Sequence, residues 1–238
     1  MLRLDDVHVH FGHVHALRGA TLEARGDEVL VLIGPNGAGK STVVNTAAGL
    51  HAPSAGRIRL GDQEIGGTPA AQVVRAGLTL VPQGRRLFGS MTVRENLELG
   101  AYTRDVRADI DRKIREWCGF FPEIGERLAV RAGTLSGGQQ QLAAIIRGLM
   151  SEPRMLMMDE PSIGLAPVVV QRIGREIRRL NRESGIGIVL VEQNVEFALS
   201  VADRVAILSQ GRVVHEDAPA ALRDPALLSR HFFGVVAS

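Results

Sequence analysis

Val29-Leu30-Val31-Leu32-Ile33-Gly34-Pro35-Asn36-Gly37-Ala38-Gly39-Lys40-Ser41-Thr42 is the stretch on which the fold turns. Its five leading apolar residues, Val29 to Ile33, read as a buried strand too short for a membrane span. Gly34 to Ser41 then fits the spacing G-x-x-x-x-G-K-[ST] of a phosphate-binding loop. Glycines at 34, 37 and 39 let the backbone close into a nest whose N–H groups point at phosphate oxygens. Lys40 brings positive charge to the β- and γ-phosphates, and the Ser41 hydroxyl can ligate Mg²⁺. Val43, Val44 and Leu50 continue as a helix whose positive dipole end faces the same anion. The bland alternative is an ordinary Gly-rich turn, and the strand before it and helix after it weigh against that. The stretch reads as a nucleoside triphosphate site.

A chain of 238 residues holds one large domain or two small ones, and 45% hydrophobic residues suffice for a core. Twenty-eight basic residues against 26 acidic give no general attraction to nucleic acid. The single cysteine, Cys118, excludes an internal disulfide framework and suits a reducing cytosol. Charged residues begin at Arg3, so no signal peptide is expected, and no apolar run is long enough to cross a bilayer. The expectation is a soluble protein that meets any membrane through partners.

Working outward, Leu2 to His10 and Ala20 to Ala24 read as strands flanking a turn at Phe11-Gly12. Histidines at 8, 10, 13 and 15 lack the cysteines or ordered acids of a metal site, and a solvated strand edge is the better reading. The helix after the phosphate loop is expected to reach Leu50. Arg57 to Leu60 is a short strand, Ala70 to Arg75 a helix, and Leu78 to Val81 a buried strand delivering Pro82-Gln83-Gly84 to a loop. Thr92-Val93-Arg94-Glu95 is a capping box. From there to Met150 the pattern is helical, including Asp105 to Phe121 with Ile110, Ile114 and Trp117 at helical spacing, stopped by Pro122. Strand–helix alternation then resumes. Met155 to Asp159, Ile186 to Val191, Arg204 to Ser209 and Arg212 to His215 are strands, and Pro167 to Ser184 and Val195 to Val201 helices. Arg172, Arg175, Arg179 and Arg182 share one face of the first of these helices, read as solvated among Glu176 and Glu183 and not as a nucleic-acid groove. A short helix near Pro219 to Leu222 and an aromatic end, Phe232-Phe233, close the chain. Such alternation implies an α/β fold with a largely parallel sheet, interrupted by a helical insertion.

Two further stretches complete the chemistry. Met155 to Asp159 is an apolar strand that ends in the pair Asp159-Glu160, fixing both acids at the carboxyl end of the sheet, where α/β proteins bind ligands. Asp159 suits the Mg²⁺ shell through water, and Glu160 is placed to polarise the water that attacks the γ-phosphoryl in line. Gln83 can reach the metal and that water with its amide. Leu135-Ser136-Gly137-Gly138-Gln139-Gln140-Gln141 opens a helix and makes a second anion site. A second site is surplus within one subunit, but has a use if it closes over a nucleotide held by another.

At this point the chain resembles the ABC ATPases, the nucleotide-binding subunits of ABC transporters. LSGGQQQ looks like their signature motif, and the resemblance covers nearly the whole chain. It implies a P-loop NTPase (RecA-like) core with a small antiparallel β subdomain and an inserted α-helical subdomain. As one domain over 1–238, the core would take about 1–91 and 152–238, and the helical signature subdomain about 92–151. It implies a head-to-tail ATP-sandwich dimer in which Leu135, Ser136, Gly137, Gly138 and Gln139 act in trans. By resemblance, Phe11 stacks on adenine and Gly34, Pro35, Asn36, Gly37, Ala38, Gly39, Lys40, Ser41 and Thr42 bind ATP. Gln83 belongs to the Q-loop, Asp159 is the Walker B acid and Glu160 the catalytic glutamate, with Ser41, Gln83 and Asp159 around Mg²⁺.

VPQGRRLFGSMTVRENL, EPSIGLAP and VEQNVEFALSVADRV look like the smaller ATPase of branched-chain amino acid importers. ATPases of urea and short-chain amide importers are similar in the same places. Gln193 stands where most of the superfamily carries the switch histidine, and Ala166 where an aspartate is usual; both departures characterise this subgroup. Gln193 can donate through its amide but cannot become cationic, so this subunit's own site is expected to hydrolyse slowly. The implied partners are transmembrane permease subunits, a second ATPase subunit, and indirectly a periplasmic or extracytoplasmic substrate-binding protein. The implied place is peripheral, on the cytoplasmic face of the cell membrane. A soluble ABC ATPase acting on DNA or ribosomes fits less well: no heptad stretch for a coiled-coil insertion exists, and the chain holds one ATPase unit. A regulatory module without turnover would have no use for Glu160.

Overall fold

Alternation along the central strand sets the layers. The computed structural model describes residues 1–102, 109–224 and 228. In β3 (Val29–Ile33), Val29, Val31 and Ile33 face one apolar cluster while Leu30 and Leu32 face another. Burial on both faces explains why this strand reads as a continuous apolar run. It lies inside a sheet ordered β10-β9-β3-β8-β7-β6. There β6 (Leu78–Val81), β7 (Met155–Asp159), β8 (Gly187–Glu192), β3 and β9 (Arg204–Ser209) run parallel, and β10 (Arg212–Asp217) pairs antiparallel at the edge. A second, antiparallel sheet is ordered β2-β1-β4-β5, with β1 (Leu2–Phe11), β2 (Val14–Ala24), β4 (Ala55–Leu60) and β5 (Gln63–Glu64).

The antiparallel sheet and α1 (Lys40–Ala47) bury Leu2, Leu4, Ile58, Val43 and Val44 with one face of the large sheet. Its other face is covered by α3 (Val93–Gly100), α6 (Gly137–Leu149), α7 (Pro167–Ser184) and α8 (Val195–Val201), with α4 (Ile110–Phe120) and α5 (Pro122–Gly125) joining the same core. The remaining helix, α2 (Ala70–Arg75), buries Val73 in the cluster of Leu30 and Leu32. Ile114 and Trp117 of α4 are buried as their spacing requires. Lys113 beside them is buried too, and pairs with Glu152 at 2.8 Å.

Several boundaries differ from the sequence expectation. The helix α1 stops at Ala47, short of Leu50, because Gly49 adopts φ 74°. Leu50 N–H then bonds Asn45 C=O (2.9 Å) and Gly49 N–H bonds Thr46 C=O (3.1 Å), a Schellman ending. Strand β2 begins at Val14, six residues before Ala20, since His15, Leu17 and Arg18 pair with β1. Pro122 does not merely stop a helix but opens α5 at its first turn. Strand β8 runs Gly187–Glu192, one residue later than expected, and β10 continues past His215 to Asp217. The expected helix near Pro219 is a single 3₁₀ turn at Ala221–Arg223. The start of the Asp105–Phe121 helix and the pair Phe232-Phe233 lie outside the described residues. The arginine face of α7 is engaged with acids: Arg172 with Glu123 (2.7 Å) and Arg179 with Glu183 (3.1 Å) and Glu176 (3.6 Å).

Two contacts set where the helical segment sits. Asn96, fully buried on α3, accepts from Phe88 N–H (2.9 Å) and donates to the carbonyls of Phe88 (3.1 Å) and Thr92 (2.9 Å), tying the loop after β6 to the helix. Gly100 ends α3 against α6, and a Cβ there would collide with the backbone carbonyl of Arg147. Gly100→Ala is therefore expected to destabilise the fold by about 1–3 kcal/mol, the scale of overpacking, seen as a lowered urea midpoint; an unchanged midpoint would mean α3 and α6 separate freely.

Candidate functional site

Between β3 and α1 the backbone is bent by glycine where no other residue fits. Gly37 and Gly39 adopt φ 78° and 105°, and a Cβ on Gly34 would strike the carbonyl of Leu208. The Lys40 ammonium is buried inside this loop, donating to the carbonyls of Gly34 (2.8 Å) and Pro35 (3.1 Å). Burial lowers its pKa, and the charges of Glu160, Asp159 and Glu192 oppose that shift. The first turn of α1 contains no acid, so its positive end is left available to an anion. A cleft of about 600 Å³ opens here, lined by Asn36, Gly37, Gly39, Lys40, Ser41, Thr42 and Glu160.

The acids come from the neighbouring strands. Asp159 ends β7, is buried, and accepts from the Ser41 hydroxyl at 3.2 Å. Burial pushes its carboxyl up, the Ser41 bond pulls it down, the charge of Glu160 raises it, and Lys40 lowers it. Glu160 follows at φ 48°, a left-handed conformation uncommon for glutamate and a mark of local strain. The Gln83 amide donates to its Oε2 at 2.8 Å. Beside it, Glu160, Ser162, Ile163, Glu192, Gln193 and Asn194 line one hollow, so Gln193 and Glu160 face a common space. Ala166 caps α7 with no side-chain bond, where an aspartate would have served.

Ser41 and Asp159 bring together two oxygens of the kind hard divalent cations take. The approach of the Ser41 and Asp159 oxygens, beside a second carboxylate, fits Mg²⁺ on chemical grounds.

The signature residues stand apart. Leu135 is buried; Ser136 caps α6 by accepting from Gln139 N–H at 3.4 Å, while Gln139 Oε1 accepts from Ser136 N–H at 3.1 Å. Ser136, Gly138 and Gln139 line a small recess with Val169 and Arg172 that shares no residue with the phosphate cleft. The fold thus brings Gly34–Thr42, Asp159, Glu160, Gln83 and Gln193 to one edge of the sheet, and does not bring Leu135–Gln139 to them within one chain. Phe11, 44% exposed at the tip of β1, stands edge-on to His51 at 5.0 Å. The adjoining wall of the cleft is instead Val14, His15, Ala16 and Arg18, which sequence reasoning did not assign. His15 stacks on His10 (3.9 Å) and meets His8 (3.1 Å between ring nitrogens); among the described residues no group of His, Cys, Asp or Glu is arranged to hold a metal ion. The capping box of Ser136 and Gln139 was not read from the sequence, although S-x-x-Q carries its signal, and Glu192 was not singled out at all.

Comparison with known proteins agrees with this geometry. Residues 17–163 match the family model described as ABC transporter. The chain is 43% identical over 222 residues to the high-affinity branched-chain amino acid transport ATP-binding protein BraG of Pseudomonas aeruginosa, covering 93% of this chain and 94% of the relative. It is 32% identical to BraF, another high-affinity branched-chain amino acid transport ATP-binding protein of that organism, over 98% of both chains. Its fold is similar to the ADP conformation of an ATP-binding cassette of an ABC transporter, with TM-score 0.87 at 27% identity over 96% of this chain and 97% of that one.

Lys40→Ala removes a charge-assisted contact worth about 1.5–3 kcal/mol, so affinity for ATP in calorimetry is expected to fall roughly tenfold to a hundredfold. Undiminished affinity would remove Gly34–Thr42 from the binding site.

Proposed function

The chain belongs to the ABC transporter family, and on that premise we propose that it is the ATP-binding and ATP-hydrolysing subunit that powers an importer of branched-chain amino acids. One observation carries the reading. A phosphate loop, Asp159 and Glu160 converge on one cleft, in a chain 43% identical over 93% of its length to a protein of that transport.

Within that reading the N–H nest of Gly34–Thr42 and the Lys40 ammonium hold the triphosphate. Mg²⁺, held by Ser41, Gln83 and, through water, Asp159, would neutralise charge on the β- and γ-phosphates. Glu160 takes the proton of the attacking water, and Gln83, already bonded to its carboxylate, keeps that carboxylate directed. Gln193 donates its amide toward the γ-phosphate, and Phe11 offers its exposed face to adenine. Leu135–Gln139 close over the nucleotide of the facing subunit, a role supported by their separation from this chain's own cleft. The assembly is then a sandwich dimer. BraG and BraF, two ATP-binding proteins named for one transport in one organism, support pairing with a second, different ATPase subunit.

The permease has a fitting surface. A groove of about 330 Å³ between core and helical segment is lined by Leu50, Val74, Pro82, Phe88, Leu99 and Tyr102. Phe88 and Tyr102 are 54% and 69% exposed at this groove, which supports its use as a contact surface. Among the described residues no helix is long and apolar enough to cross a membrane. Residues 92–151 form the helical subdomain and the rest the core of a single domain, peripheral on the cytoplasmic face. A substrate-binding protein acts on the far side, and nucleic acid has no part.

Glu160→Gln is expected to bind ATP normally and hydrolyse it slower by a factor of roughly 10² to 10⁴, accumulating as an ATP-bound dimer in gel filtration. Full turnover would exclude Glu160 as the base. Mixing Ser136→Ala with Lys40→Ala chains places both defects in one composite site and frees the other. Partial recovery of ATPase activity is expected; none in proven mixed dimers would refute action in trans.

A further inference from the structure

Glu192 is 1% exposed at the end of β8, in a strand otherwise made of apolar residues and glycine. Its carboxylate gathers four donors from two separate loops. Oε1 accepts from Ser162 N–H (3.0 Å); Oε2 accepts from the Ser162 hydroxyl (2.9 Å), Gln193 N–H (3.2 Å) and Asn194 N–H (3.4 Å). Ser162 lies two residues after Glu160, whose own N–H donates to Val191 C=O at 2.9 Å. We propose that Glu192 is a positioning residue for hydrolysis: it fastens the turn carrying Glu160 to the turn carrying Gln193, so that both side chains face the shared hollow in one fixed relation.

A merely space-filling role does not account for it. Valine or leucine would plug the end of β8 without stripping water from a carboxylate. What the carboxylate adds is acceptors enough to hold both loops at once, directed by their backbone N–H groups. Burial pushes its pKa up, and the Ser162, Asn194 and Gln193 bonds pull it down, which fits a group retained for its acceptors. The strain at Glu160 points the same way, since a left-handed glutamate persists only where its surroundings over-determine it.

The proposal rests on the roles given above to Glu160 and Gln193, and the experiment separates the two. Glu192→Gln keeps shape but supplies one acceptor oxygen and turns an NH₂ toward at least one of the N–H donors. Amide exchange by NMR, with Leu190 as the in-strand control, is expected to quicken at Ser162 or at Gln193 and Asn194. With saturating Mg-ATP, kcat is expected to fall roughly 10- to 100-fold, the scale carried by partners that orient site groups, while ATP affinity stays unchanged. Combining it with Gln193→Ala should cost less than the product of the single effects, since a misaligned Gln193 has little left to lose. Ser162→Ala, which removes only the hydroxyl donor, should give a smaller loss of kcat in the same sense. Unchanged exchange, unchanged kcat, a loss of ATP affinity equal to that of kcat, or fully multiplicative effects would each overturn the positioning role. If the unmodified chain bound ATP but showed no turnover, the hydrolytic reading would fail instead, and amide exchange alone would still decide whether Glu192 ties the loops.

Discussion

Parallel pairing is the constraint from which the site follows. Ile33 lies beside Glu192, Asp159 beside Val191 and Met158 beside Val81, so β3, β8, β7 and β6 all end at one edge. Each chemical group stands one or two residues beyond such an end. Gly34 follows Ile33, Glu160 follows Asp159, Gln193 follows Glu192, and Gln83 comes two after Val81. The strands cannot slip past one another, because a one-residue shift would exchange the apolar clusters on the two faces. Hydrophobic burial far from the chemistry thereby sets the spacing of the polar groups that perform it.

Charge at that edge is unbalanced by design of the strands. Lys40 meets the charges of Asp159, Glu160 and Glu192, a single ammonium among three carboxylates. A triphosphate adds further negative charge, which one buried lysine and one helix N-terminus cannot neutralise. The raised pKa of Asp159 comes first from its burial, and the charge of Glu160 adds to it. A divalent cation near Ser41 and Asp159 would meet that excess of negative charge, on electrostatics as well as on ligand type. Glu192 is the acid held apart from this demand, because backbone N–H groups already saturate it.

How much of this was legible in the sequence depended on whether the signal was local. Val29–Ile33, Leu78–Val81, Ala70–Arg75 and Pro167–Ser184 were readable end to end, since apolar runs, helical period and flanking Gly or Pro all agree there. The edge strand β2 was shortened in the reading because its first half, Val14–Arg18, is half polar and gains its strand identity from pairing with β1. The end of α1 carried a readable glycine at 49, but Leu50 beyond it looked like one more apolar helix position. The phosphate loop and the Asp159-Glu160 pair were legible because strand burial aims both. Glu192 was invisible because nothing in its neighbours shows that a turn 30 residues upstream would supply two of its four donors.

The loop between β6 and α3 joins the two ends of this machinery through covalent adjacency. Pro82 lines the apolar groove, and the next residue, Gln83, is bonded to Glu160. Gly84, Arg85 and Arg86 then all take positive φ, 78°, 65° and 49°, a costly run for two arginines. What holds it is α6: the Arg147 guanidinium donates to the carbonyls of Arg85 (3.0 Å) and Arg86 (2.6 Å), and Arg85 donates to Gln140 (3.2 Å) one turn beyond the signature serine. Between the Arg147 clamp on Arg85 and Arg86 and the bond from Gln83 to Glu160 lies only Gly84, and Pro82 on the other side already lines the groove. The groove, the helix that Ser136 caps and the carboxylate of Glu160 are therefore joined through one short stretch of chain, Pro82 to Arg86.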